Sequence, residues 1–286
     1  MYRETIDHFA ELGVTKARNF QQAPRSSLVG AAMAGAYVGM GLLLALSVAS
    51  PLPAMVRPLV MGAVFGLALL LVIFAGGELF TGYVMYLSFA LFARGISWRE
   101  ALRTGSLVWL GNLAGAALLS ALFTAGGGGT LFSGDSPLAV GYALHKTELT
   151  SLEMVARGML CNWLVCLAIW CSARLNGDAA KIAVLAWCLC AFVACGYEHS
   201  VANMTAFSLA AMMPGSSALN GWDVVRNLGF VTLGNMLSGG LLVAGGYAAA
   251  ALPERDDRHA HDCGALPAEL KPRKTATWQP TQVEPE

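Results

Sequence analysis

His199 lies deep in an apolar run of this sequence, within Gly196-Tyr197-Glu198-His199-Ser200-Val201-Ala202-Asn203. A second ionisable group, Glu78, interrupts another apolar run within Gly76-Gly77-Glu78-Leu79-Phe80-Thr81-Gly82. Ionisable side chains at hydrocarbon depth are costly, and they mark pathways for ions or protons. Imidazole, with an ordinary pKa of about 6.5, can change charge near physiological pH after modest changes of environment. Each carboxylate needs partners at that depth, so Glu78 and Glu198 are expected to accept hydrogen bonds from backbone amides where the helices break.

The elements that must position these groups are membrane spans. The two runs, Pro58 to Ala93 and Ala180 to Met213, exceed the roughly 20 apolar residues that cross a hydrocarbon layer about 30 Å thick. The whole chain of 286 residues is 56% hydrophobic and 13% charged, with a mean hydropathy of +0.57. A soluble domain carries roughly 25% charged residues, so this composition defines an integral membrane protein. Four further apolar segments run from Leu28 to Ser50, Leu107 to Gly126, Val155 to Cys171 and Gly229 to Leu252, which makes six spans. Before them, residues 1–27 contain Arg3, Lys16, Arg18 and Arg25 in an amphipathic pattern, expected to form a helix along the cytoplasmic membrane surface. Of the 18 Lys and Arg residues, all but Arg57, Lys146, Arg157 and Arg226 fall in the termini or in the loops after the second and fourth spans. That asymmetry places both termini in the cytoplasm.

The third and sixth spans share Leu-Gly-Asn, at Asn112 and Asn235, and the broken spans share Gly-x-Glu, at Glu78 and Glu198. Nearly the same interval separates both pairs, so the chain reads as two repeats of three spans. An odd number of spans inserts the second repeat upside down. In inverted repeats of this kind, interrupted helices meet near the midplane and line the substrate path. Broken backbone survives there only when buried in protein or facing water. Close helix packing accounts for Gly35, Gly39, Gly111 and Gly115. It does not account for Glu78, Glu198 and His199.

At these motifs, and at Gly158-Met159-Leu160-Cys161-Asn162-Trp163-Leu164-Val165-Cys166, the sequence resembles the formate/nitrite transporter family from about Leu28 to Leu252. Cys161 to Trp170 and the Gly-Tyr-Glu-His spelling look most like its nitrite branch. The resemblance implies an all-α integral membrane protein with an aquaporin-like fold. Six transmembrane helices would form two inverted three-helix repeats, with the second and fifth helices broken. It further implies a homopentamer in the bacterial inner membrane, each protomer passing nitrite or a related small anion, with formate and hydrosulfide as alternatives. His199 would be the central pore histidine and Thr81 its partner from the first break, with Asn203 and Asn235 orienting them. Phe65 and Phe192 would form the periplasmic constriction, while Leu69, Leu79, Phe80 and Val165 would narrow the path towards the cytoplasm by dewetting. Glu78, Glu198 and Asn162 would support the site. Lys146, which matches a family lysine, and Arg157 would either gather anions at the periplasmic mouth or snorkel to the interface, and the N-terminal stretch would serve as a gate.

Other readings fit less well. An aquaporin would carry Asn-Pro-Ala at both breaks, and an ammonium channel paired pore histidines; the breaks lack proline and hold one histidine. A haem enzyme needs a ligating pair, so no enzyme, cofactor or nucleic-acid partner is expected, and a non-transporting scaffold in membrane lipid is the alternative from another class. The seven cysteines show neither a disulfide framework nor metal spacing. Residues 253–286, rich in proline and charge, read as a disordered cytoplasmic tail.

Overall fold

The computed structural model describes residues 2–132, 138–213 and 219–251. The tail from Pro253 lies outside the described residues. Among the described residues ten helices succeed one another, besides one 3₁₀ turn at Gly129–Phe132: α1 (Arg3–Gln22), α2 (Pro24–Ala49), α3 (Arg57–Gly76), α4 (Phe80–Phe92), α5 (Trp98–Ala125), α6 (Leu138–Glu148), α7 (Ser151–Arg174), α8 (Asp178–Ala194), α9 (Ser200–Ala211) and α10 (Gly221–Ala250). Five of them, α2, α3, α5, α7 and α10, are long and apolar enough to cross a membrane. The remaining crossing is divided between α8 and α9.

Helix starts follow local chemistry. Ser97 and Glu100 form a capping box at the start of α5, and Thr150 and Glu153 form the equivalent box at α7. In each, the hydroxyl and the carboxylate satisfy backbone donors that the first helical turn leaves free. These caps explain why α5 begins at Trp98 rather than at Leu107, where the apolar run starts. Asn220 caps α10 by a single bond, its Oδ1 accepting from the Trp222 amide at 3.0 Å, ahead of the expected Gly229.

Small residues bring the spans together within each repeat. A Cβ on Gly35 would overlap the Asn112 carbonyl, and one on Gly115 would overlap the Ala32 carbonyl, so α2 and α5 touch through their backbones. Gly158 and Gly234 do the same for α7 and α10, against Val231 and Val155. Trp109 and Thr232 occupy equivalent places in the two repeats and hydrogen-bond to each other at 3.1 Å. The pseudo-two-fold axis therefore passes between α5 and α10. Since an added methyl at Gly115 meets backbone that cannot swing aside, Gly115→Ala is expected to destabilise the protein by about 2 kcal/mol. The measurement is the unfolding temperature of detergent-solubilised protein, with Gly141→Ala, which faces open space, as the neutral control.

Glycine ends both broken helices. The last turns of α3 widen into a π-helix at Leu71–Gly76, and Gly76 then takes φ +83°. At the second break Gly196 takes φ +70°. Both angles lie in the left-handed region that a Cβ disfavours. Extended backbone at Leu79 and His199 leads into α4 and α9.

The N-terminal helix α1 packs its apolar side against α4. Phe9 stacks on Tyr86 at 5.4 Å and on Trp170 at 5.7 Å, and Gly13 sits against the Tyr86 carbonyl. Phe9, Ala17 and Phe20 are buried there. Once this face is covered by protein, little apolar surface is left for lipid.

Candidate functional site: the paired helix breaks

The same device holds the backbone of both breaks. At the first, Asn112 donates from Nδ2 to the carbonyls of Ala31 and Glu78 at 2.8 and 2.9 Å, and its Oδ1 accepts from the Phe80 amide at 2.9 Å. At the second, Asn235 donates to Gly158 and Glu198 at 2.8 and 3.1 Å and accepts from Ser200 at 3.0 Å. The Glu78 and Glu198 amides reach the carbonyls of Gly30 and Arg157 at 3.1 and 3.2 Å. A side-chain amide suits this task because it offers donors and an acceptor to backbone groups that the broken helix leaves unpaired. Asn235 thus orients its neighbours through the backbone. Asn112, read in the sequence only as a mark of the repeat, has the same role.

The carboxylates differ from expectation, because they accept from side chains rather than from backbone amides. Glu78 pairs with Lys16 of α1 and accepts from the Tyr83 hydroxyl at 2.9 Å. Glu198 pairs with Lys146 of α6 at 2.8 Å and accepts from Asn203 Nδ2 at 2.6 Å. Asn203 also donates to Asn227 Oδ1 at 2.9 Å, and Asn227 donates to the Lys146 carbonyl at 2.9 Å. These bonds close a ring that joins α6, the second break, α9 and α10. Lys146 is buried at 4% exposure and lies over the Tyr142 ring at 4.6 Å, so it does not snorkel. Its charge is matched by Glu198. Sequence reasoning missed Lys16, Tyr83 and Asn227: Lys16 and Asn227 stand 62 and 24 residues from their partners Glu78 and Asn203, and Tyr83, five residues after Glu78, carries no pattern that marks it.

Between the breaks, His199 Nε2 stands 3.1 Å from Thr81 Oγ1. Its Nδ1 accepts from the Ala202 amide at 3.1 Å and so caps α9. An amide can only donate; hence the ring proton of the neutral imidazole resides on Nε2 and points at Thr81. The ring stacks beside Phe192 with centroids 6.0 Å apart, and Phe192 meets Phe65 edge to face at 5.6 Å. Asn162 donates to the Thr81 and Asn235 carbonyls at 3.3 and 2.8 Å, linking the first break to the second repeat.

Three spaces lie in line through these residues. A vestibule of about 350 Å³ is bounded inward by Phe65, Phe192 and His199. A chamber of about 10 Å³ follows, enclosed by Val38, Phe65, Ala68, Leu69, Leu79, Val165, Leu189, Phe192 and His199. Beyond Leu79, a cavity of about 200 Å³ is lined by Lys16, Glu78, Tyr83, Tyr86 and α1's Leu12. A volume of about 10 Å³ is close to one water molecule, so the apolar walls must part for anything larger. Leu69, Leu79 and Val165 line this path as expected. Phe80 does not: it faces away, into a groove between α4, α5 and α10 that also holds Trp109 and Leu113. The Asn112 bond to its amide fixes the start of α4 so that Thr81, one residue on, meets His199.

The formate/nitrite transporter family model matches residues 3–249. The chain belongs to the formate/nitrite transporter family. The nitrite transporter NirC of Escherichia coli (strain K12) is 45% identical over 247 residues, covering 86% of this chain and 91% of that one. A solved FNT family ion channel aligns with a TM-score of 0.85 at 44% identity, covering 87% of this chain and all of the other. A pentameric formate channel with formate bound aligns with a TM-score of 0.68 at 30% identity, covering 80% and 98%. As a formate/nitrite transporter, the chain is a membrane transport protein and not an enzyme. Its two repeats share their scaffold but diverge at the pore, where His199 stands opposite Leu79 and Thr81 opposite Val201 in the repeat alignment.

Proposed function

We propose that the protein is a channel for nitrite, with formate and hydrosulfide as secondary substrates, assembled as a homopentamer of independent pores in the bacterial inner membrane. Both termini lie on the cytoplasmic side, residues 28–252 form the channel domain, and α1 covers the cytoplasmic mouth. The observation that carries this reading is the contact of His199 with Thr81 at 3.1 Å, beside an otherwise apolar chamber. Desolvating an anion in such a chamber is unfavourable, whereas a neutral weak acid passes more readily. In the proposed mechanism His199 first takes a proton from water at Nδ1, opening its cap on the Ala202 amide, and the imidazolium then passes its Nε2 proton to the Thr81 hydroxyl, which gives its own proton to the anion and leaves a neutral imidazole. The nitrous acid so formed crosses the apolar zone and releases its proton on the far side, and His199 is reprotonated from water. The lysine-paired carboxylates flank the path without adding net charge to it.

Purified protein in liposomes is expected to carry nitrite well above the rate of empty liposomes, and faster than formate or hydrosulfide at equal concentration. Uptake no faster than the empty control for all three would overturn the channel reading. Faster formate than nitrite would overturn the substrate assignment alone.

A further inference from the structure

On the channel reading above, we propose that Arg57 recruits the permeating anion into the wide vestibule. Four basic residues lie off the side that holds most of the positive charge, and the fold draws them together. Arg57, Lys146 and Arg157 line the vestibule, and Arg226 donates to the Thr147 carbonyl at 2.6 Å, securing the end of α6 that carries Lys146.

Their charges are not equally available. Lys146 is paired with Glu198 in the buried ring. Arg157 lies 3.8 Å from Glu153, and His145, also in the lining, lies 3.6 Å from Glu148. Arg57 instead donates to two backbone carbonyls, Leu52 at 2.8 Å and Ser50 at 3.5 Å, and no carboxylate pairs with it among the described residues. Carbonyls hold a guanidinium in place without cancelling its charge. A fixed cation at the rim of a cleft with apolar walls focuses the field and raises the local anion concentration. At the opposite mouth, Lys16 is matched by Glu78. The recruiting charge therefore belongs to the vestibule.

The test is nitrite flux in oriented membranes with nitrite added at the vestibule face, at about 0.01 M and about 1 M ionic strength. Screening shortens the reach of a charge from about 30 Å to about 3 Å over that range. At low salt Arg57→Gln is expected to raise the apparent KM about fivefold and leave maximal flux within about twofold, while Arg57→Lys stays near wild type. At 1 M salt the Arg57→Gln and wild-type curves should converge. A KM that is unchanged, or raised equally at both salts, would overturn the proposal. So would a loss of maximal flux alone, which would mark Arg57 as a brace for the turn after α2. Wild-type protein carrying no nitrite at either salt would instead defeat the channel reading on which this inference rests.

Discussion

Replacing His199 with alanine is expected to lower nitrite flux at neutral pH about tenfold or more, and replacing it with asparagine should separate the two tasks of the side chain. His199 caps α9 through Nδ1 and presents Nε2 to Thr81. Alanine removes both, and loss of a cap alone costs about 1 kcal/mol. Asparagine is a good cap but cannot titrate. His199→Asn should therefore fold with near wild-type stability while losing the pH dependence of flux. Positioned acid–base groups typically contribute about 10²-fold or more, so the cap cannot account for the main loss. The measurement is flux against pH for the three proteins, with unfolding temperatures alongside. If His199→Asn keeps both the rate and the pH profile of wild type, the proton role of His199 is excluded, whereas the family assignment stands.

The largest expected loss of stability comes from Asn112→Ala. The substitution leaves the Phe80 amide and the Glu78 carbonyl buried without a partner. At about 1–3 kcal/mol for each unsatisfied group, the loss should be about 3 kcal/mol. Asn235→Ala strips the Ser200 amide and the Glu198 carbonyl in the same way, so its loss should be of similar size. Unfolding temperatures of both variants in detergent check this. A fall of less than a degree in either would show that its break is held by something other than the asparagine. Near equality of the two would bear out the equivalence of the repeats in energy as well as in geometry.

Much of the architecture was legible because bilayer physics writes it into sequence. Apolar run length sets the spans, and the repeated Leu-Gly-Asn and Gly-x-Glu marks set the inverted pair. The breaks were visible for a local reason: glycines and carboxylates cannot sit in lipid-facing helix without cause. Helix starts were less visible, since α5 extends back to Trp98 through charged turns held by its capping box. Phe80 was misplaced because adjacent residues at a helix start point in different directions, and only the anchored backbone says which one meets His199.

Sequence alone thus determined a six-span inverted repeat with a single histidine in the fifth span, together with Thr81, the residue that meets it from the first break. Tertiary structure decided what neutralises the two carboxylates. Lys16 stands 62 residues from Glu78 and Lys146 stands 52 from Glu198, each on a helix outside the repeated spans. Such pairings leave no periodic trace, since the cost of burying a charge is met by whatever opposite charge the fold brings within reach. The same holds for Arg57: its position at the start of the second span is plain in the sequence, but its place at the vestibule, held by carbonyls and paired with no carboxylate among the described residues, exists only once the helices have packed.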